Sequence, residues 1–110
     1  MNEEAILLAV KIAKMLMEKP TVSEGRWQIG KPYFIRTVTH HLTGRLVEVS
    51  EHELWLEDAA WIPDDGRFAQ AVEKGEFSEV EPFPSGLTVA VGRGSLIDAV
   101  PIPSIQRSQK

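Results

Sequence analysis

The sequence predicts a mainly β domain with some helix. An N-terminal helix is followed by five short antiparallel strands in a strongly bent small barrel, with a short helix inserted between strands three and four. Three observations predict this. Residues 32–61, PYFIRTVTHHLTGRLVEVSEHELWLEDAAW, run from β-branched and aromatic residues through a Thr43-Gly44 break into two alternating segments separated by a polar turn. Residues 86–100, GLTVAVGRGSLIDAV, repeat that grammar around an Arg-Gly step. Residues 2–19 instead carry apolar side chains at helical spacing.

In the N-terminal helix, Ile6, Val10, Ala13 and Met17 follow i, i+4, i+7, i+11 spacing, and Glu4, Lys11, Lys14 and Glu18 take the polar side. Acidic residues at the start and Lys19 at the end suit the helix dipole, and Pro20 stops it. Leu7, Leu8, Ile12 and Leu16 widen the apolar surface beyond what one small barrel covers, so part of it is expected to meet a neighbouring subunit. The acidic start argues against a signal peptide. Lys11, Lys14 and Glu18 interrupt the run that a membrane span would need.

Residues 21–31 read as a loop with Trp27 and Ile29 as core anchors. Strand one runs from about Pro32 to Thr39, and Gly44 permits tight curvature. Strand two covers Arg45 to Ser50. After the Glu51-His52-Glu53 turn, strand three covers Leu54 to Trp61, with Leu54 and Leu56 on one face and Trp55 on the other. Short connections make these strands antiparallel. The insertion, 63–85, opens on a Pro63-Asp64-Asp65-Gly66 turn and contains a helix over Arg67–Lys74. Phe68, Ala71 and Val72 are expected inward, Asp64 or Asp65 as its cap and Gly75 as its stop. The acidic run Glu73 to Glu81 reads as a solvated face. Strand four (about Gly86–Val91), a tight Gly92-Arg93-Gly94 turn and strand five (about Ser95–Ile102) complete a single domain over 1–110, with 103–110 as an extended tail.

Composition bounds the function. The 110 residues are 43% hydrophobic and 25% charged, as in an ordinary globular chain. With no cysteine, disulfides, thiolate zinc sites and thiol catalysis are excluded, which fits a reducing, cytoplasmic setting. A net charge of −4 gives no whole-protein attraction to nucleic acid or to an anionic membrane. His40 and His41 are adjacent on a strand, so they point to opposite faces and cannot readily share one ion. The Asp-Asp-Gly triplet lacks the ligand spacing of a calcium loop. Neither Ser85 nor Ser95 sits in a nucleophile elbow, and Gly92-Arg93-Gly94 lacks the Lys-Ser/Thr of a phosphate loop. No cofactor, metal or enzymatic activity is expected.

A helix followed by five bent antiparallel strands resembles the Sm-like family, which includes the LSm proteins and bacterial Hfq and has an SH3-like barrel. The first motif resembles Gly44-Arg45-Leu46, a hydrophobic Val49, a polar turn, then Leu54-Trp55-Leu56-Glu57-Asp58-Ala59. The second resembles a hydrophobic strand leading into Arg93-Gly94, then Leu96 and Val100. The resemblance implies a homo-oligomeric ring, in which strand four of one subunit pairs with strand five of the next. It also implies a pocket for a base of single-stranded RNA or a nucleotide, between a residue of the first motif's turn and the Arg of the second. His52, Arg93 and Gly94 match those positions. Ser50 stands where the family has Asp, and Glu53 or Leu54 replaces its base-reading Asn.

The chain is also similar to small uncharacterised proteins of tailed phages and their hosts, through Tyr33–Thr39 and Leu56–Ile62. That similarity implies no activity, but it places a phage-encoded form in the host cytoplasm. Two functions follow: a ring-forming module binding RNA or a nucleotide between subunits, or a structural adaptor that assembles through barrel edges and apolar helix alone.

Overall fold

The computed structural model describes Glu3, Ala5, Ile6, Ala9 and residues 26–110. The expected N-terminal helix and its contact with a neighbour fall mostly outside the described residues; the four described there are helical. From residue 26 the order is β1 (Pro32–Thr37), β2 (His41–Val49), β3 (Glu53–Asp64), α1 (Phe68–Lys74), β4 (Glu79–Pro82), β5 (Thr88–Gly92), a 3-10 turn (Arg93–Ser95) and β6 (Leu96–Pro101). All pairings are antiparallel, in the order β4-β3-β2-β1-β6, with β5 also on β3.

There are therefore six strands among the described residues rather than the expected five. The additional strand, β4, lies in the acidic part of the insertion. It forms because β3 runs on to Asp64, past the expected end at Trp61, and its second half needs a partner. Ala60 and Trp61 pair with Pro82 and Glu81 of β4, whereas Glu53–Glu57 pair with β5.

The hinge of β3 lies opposite Gly44. Thr43 pairs with Ala60 and Arg45 with Glu57, so Asp58 and Ala59 face Gly44 alone, as in a β-bulge. Asp58 takes a left-handed backbone (φ 51°), uncommon outside glycine. Arg45 holds its carboxylate at 2.5 Å and also reaches Glu57 at 2.8 Å. The hydrogen bond from Arg45 and its positive charge lower the Asp58 pKa below the ordinary carboxylate range. A Cβ at Gly44 would stand 2.9 Å from Leu56 Cβ, so the two strands approach there only because residue 44 has no side chain.

Alternation along the strands divides the apolar residues between two cores. On one face Tyr33, Ile35, Leu46, Leu54, Leu56, Ala59 and Val91 form the barrel core. On the other, Phe34, Ala60, Ile62, Ala71, Phe77, Val80 and Ile102 form an outer core beneath the insertion. Each fully buried Leu or Phe contributes roughly 1.5–3 kcal/mol by burial. Leu54 and Leu56 do share a face, with Trp55 opposite and half-buried.

The second core corrects several expectations for the insertion. Within α1, Ala71 is buried and Val72 packs beside it, but Phe68 is 52% exposed. Its ring instead supports the Arg36 guanidinium at 5.1 Å, and Arg36 also pairs with Asp98 (Nε to Oδ1, 2.8 Å). Phe77 and Val80, inside the run read as a solvated face, are buried; their acidic neighbours Glu76, Glu79 and Glu81 are exposed. Arg67 takes the N-cap position without a side-chain bond; Asp64 accepts from Gly66 N–H and Asp65 holds His41. Gly75 does stop the helix in the left-handed conformation. Ile29 is 59% exposed, leaving Trp27, packed on Tyr33, as the anchor of its loop.

Residues 103–110 are not a free tail. Ile102 enters the outer core, and Arg107 donates to the carbonyls of Ala59 (3.0 Å) and Phe83 (3.2 Å). Val80 and Lys110 exchange backbone hydrogen bonds at 2.9 Å, covering the edge of β4 that β3 leaves open.

Candidate binding turns at the open strand edges

Two turns meet at one end of the barrel. The β2–β3 turn is closed by Ser50, whose N–H donates to the Glu53 carbonyl at 2.9 Å and whose Oγ accepts from Glu53 N–H at 3.1 Å. Ser50 thus acts locally, as a short polar side chain that satisfies the turn's backbone. The 3-10 turn between β5 and β6 is fixed similarly, with Ser95 Oγ donating to the Gly92 carbonyl at 2.7 Å.

Arg93 joins the two turns. Its backbone N–H donates to the His52 carbonyl at 2.8 Å, and its guanidinium Nη1 donates to the Ser50 carbonyl at 2.7 Å. His52 and Arg93, 41 residues apart in sequence, thus become neighbours. The His52 side chain is 82% exposed, with Nε2 4.0 Å from the Glu51 carboxylate. Gly94 is not required by the turn itself: its φ is not positive, and a Cβ there would meet nothing within 4 Å. Leu54 is fully buried in the barrel core, whereas Glu53 beside it is half-buried. Glu48, Glu51 and Glu53 place carboxylates around the turn.

The turns lie at the junction of two unsatisfied edges. Among the described residues β5 pairs only with β3, and β6 only with β1, so each strand presents one unpaired side. No three His, Asp or Glu among the described residues are placed to hold a metal ion. His41 goes to Asp65 (2.8 Å), whereas His40 bonds Thr39 Oγ1 (2.8 Å) and stands edge-on to Trp61.

A second feature was not foreseen. An open groove of about 340 Å³ flanks β5, with Leu42, Val89 and Val91 of the barrel on its floor and Trp61 and Phe83 as a wall contributed by β3 and the insertion. Trp27 and Trp55 are half-buried, and Trp61 is 42% exposed in this wall. The sequence signal available was the position of Trp61 on the polar phase of strand three.

No family model and no curated protein matches the chain. Its structural neighbours are archaeal Sm proteins. It is similar to a heptameric archaeal Sm protein at 26% identity, over 68% of this chain and 90% of that one, with a TM-score of 0.49. It is likewise similar to the SmAP1 heptamer of P. aerophilum at 26% identity, over 69% and 84% of the two chains, with a TM-score of 0.49.

Proposed function

We propose that the protein is a non-enzymatic, ring-forming Sm-like subunit of the cytoplasm that holds an RNA base or a nucleotide between subunits, with His52, Arg93 and Gly94 at the site. The supporting observation is the fixed pair of turns at the junction of two unpaired strand edges. Pairing β6 of one copy with β5 of the next satisfies both edges in a single head-to-tail contact, and such a contact closes into a ring when its rotation allows. The same contact places each His52–Arg93 turn beside a neighbour.

A guanidinium plane and an exposed imidazole offer stacking surfaces to a base. The carboxylates of Glu48, Glu51 and Glu53 disfavour phosphates at the same place, so contact runs through the base and salt affects it weakly. Light scattering with a panel of nucleotides and short RNAs tests the reading. Arg93→Ala is expected to abolish binding, a loss of at least tenfold, while the oligomer keeps its mass. Undetectable binding by the unmutated protein at low salt would sink the nucleic-acid role and leave a ring-forming adaptor.

A further inference from the structure

We infer that a hollow on the β4 side of Trp61 docks an arginine side chain of a partner protein, its guanidinium flat on the indole and bonded to the Glu81 carboxylate. The inference stands apart from the ring reading, because no residue lining the hollow belongs to β5 or β6.

The hollow holds about 330 Å³ and is lined by His40, Trp61, Glu81, Pro82, Phe83 and Pro84. Strand β3 buries Ala60 and Ile62 in the outer core and turns Trp61 the other way, where it stays 42% exposed. Glu81 is the cross-strand partner of Trp61, so the two side chains emerge on one face. Tryptophan is on average well buried, so an open indole beside a carboxylate is the informative observation. His40 stands edge-on to that indole, with ring centroids 6.3 Å apart.

The site is in place before any ligand arrives. Phe83 N–H donates to the Ala59 carbonyl at 2.9 Å, and the Phe83 carbonyl accepts from Arg107 at 3.2 Å. Pro82 and Pro84 on either side of it have a restricted φ. Gln109 Nε2 donates to Glu81 Oε1 at 3.0 Å, which holds the carboxylate without neutralising it. Such preorganisation lowers the entropy lost on binding.

The charge is one-sided. Among the described residues no lysine or arginine lines the hollow, and Glu79 and Asp64, paired across β4 and β3, extend the exposed carboxylates beyond Glu81. Arg107 lies outside the lining, and its charge faces Asp58 at 3.8 Å. A cation is the matching ligand. An aromatic face beside a carboxylate favours a guanidinium over an ammonium, because the plane stacks while its N–H groups form paired bonds. The chain holds one of its own arginines in this way: Arg36 lies over the Phe68 ring at 5.1 Å and bonds Asp98 at 2.8 Å. Trp61 and Glu81 offer the same two contacts to an arginine from outside, and the prolines give an apolar rim to its neighbours.

Titration calorimetry on the full chain tests this with a short peptide of proline and arginine. Its lysine and glutamine counterparts and a short single-stranded RNA serve as comparisons, and the indole N–H resonances locate the contact. The arginine peptide is expected to move the Trp61 resonance and leave those of Trp27 and Trp55 in place, with lysine weaker and glutamine silent. Glu81→Gln should weaken the arginine peptide about tenfold or more, since a charged hydrogen bond is lost. Trp61→Leu should weaken it about threefold or more. Both residues are exposed, and the Trp27 and Trp55 resonances report that each variant is folded. An arginine peptide that binds Glu81→Gln as tightly as the unmutated chain overturns the assignment, as does one that leaves the Trp61 resonance unmoved. RNA that moves this resonance at lower concentration than the peptide, and binds Glu81→Gln more tightly still, overturns it in favour of a nucleic-acid surface.

Discussion

The two faces of the same sheet are finished differently. The outer core is sealed by the chain itself: α1 lies across it, Ile102 fills it, and Arg107 and Lys110 tie the last segment over β4. The barrel core is left open beside β5, whose edge is unpaired among the described residues and where Leu42, Val89 and Phe83 reach an open groove. A single chain can thus protect one edge with its own residues and leave another uncovered. The insertion closes the outer core and stands as a wall beside the open edge of β5.

Three experiments bear on that contrast. The largest effect is expected from Phe77→Ala, which removes a buried ring packed edge-on to Phe34 at 5.0 Å and costs about 3–5 kcal/mol. Amide exchange should rise first over 68–82 with the barrel strands still protected; equal loss everywhere would show that the two cores are one cooperative unit. Gly44→Val acts on the other core alone. Its branched side chain would crowd Leu56 across the bulge, with an expected loss of about 1–3 kcal/mol in a denaturant titration. A neutral result would mean that β2 and β3 can separate there at no cost.

The smallest effect is on acid stability. In the folded protein the Asp98 pKa is lowered by the Arg36 hydrogen bond and charge, against the opposing effect of burial. A lowered folded value means that the stabilisation is complete above the unfolded aspartate value, about pH 4, and is lost as pH falls through the folded one. Asp98→Asn should therefore flatten the acid limb of the melting curve and leave its neutral shape alone. An acid limb of unchanged slope would remove the Arg36–Asp98 pair from the account.

The strands that carry the barrel were legible because their residues alternate over long stretches: Tyr33 and Ile35 inward with Phe34 outward, Leu54 and Leu56 against Trp55. Gly44 was legible as a point of tight curvature for the same reason, and the register of β2 on β3 shifts there; its close approach to Leu56 was not legible. β4 was not. It is four residues long, ends on Pro82, and its one buried residue, Val80, sits among glutamates that dominate any local reading. The outward turn of Phe68 was not legible because a seven-residue helix has too few turns to define a face, and the burial of Phe77 was masked by the acidic run around it. The neighbourhood of His52 and Arg93 came only from family resemblance; no local pattern joins residues 41 positions apart. The Trp61–Phe83 wall depends on the pairing of β3 with β4, and was hidden for as long as β4 was.

The divided edge of β3 bears on how the chain tolerates a change of length. Glu53–Glu57 hold β5 and Ala60–Asp64 hold β4, with the left-handed Asp58 between them. The chain between Asp64 and Glu79 can then lengthen or shorten without changing the register of β5, because that register is set upstream of the hinge. Changes in the length of the insertion are therefore expected to leave β5 where it lies on Glu53–Glu57.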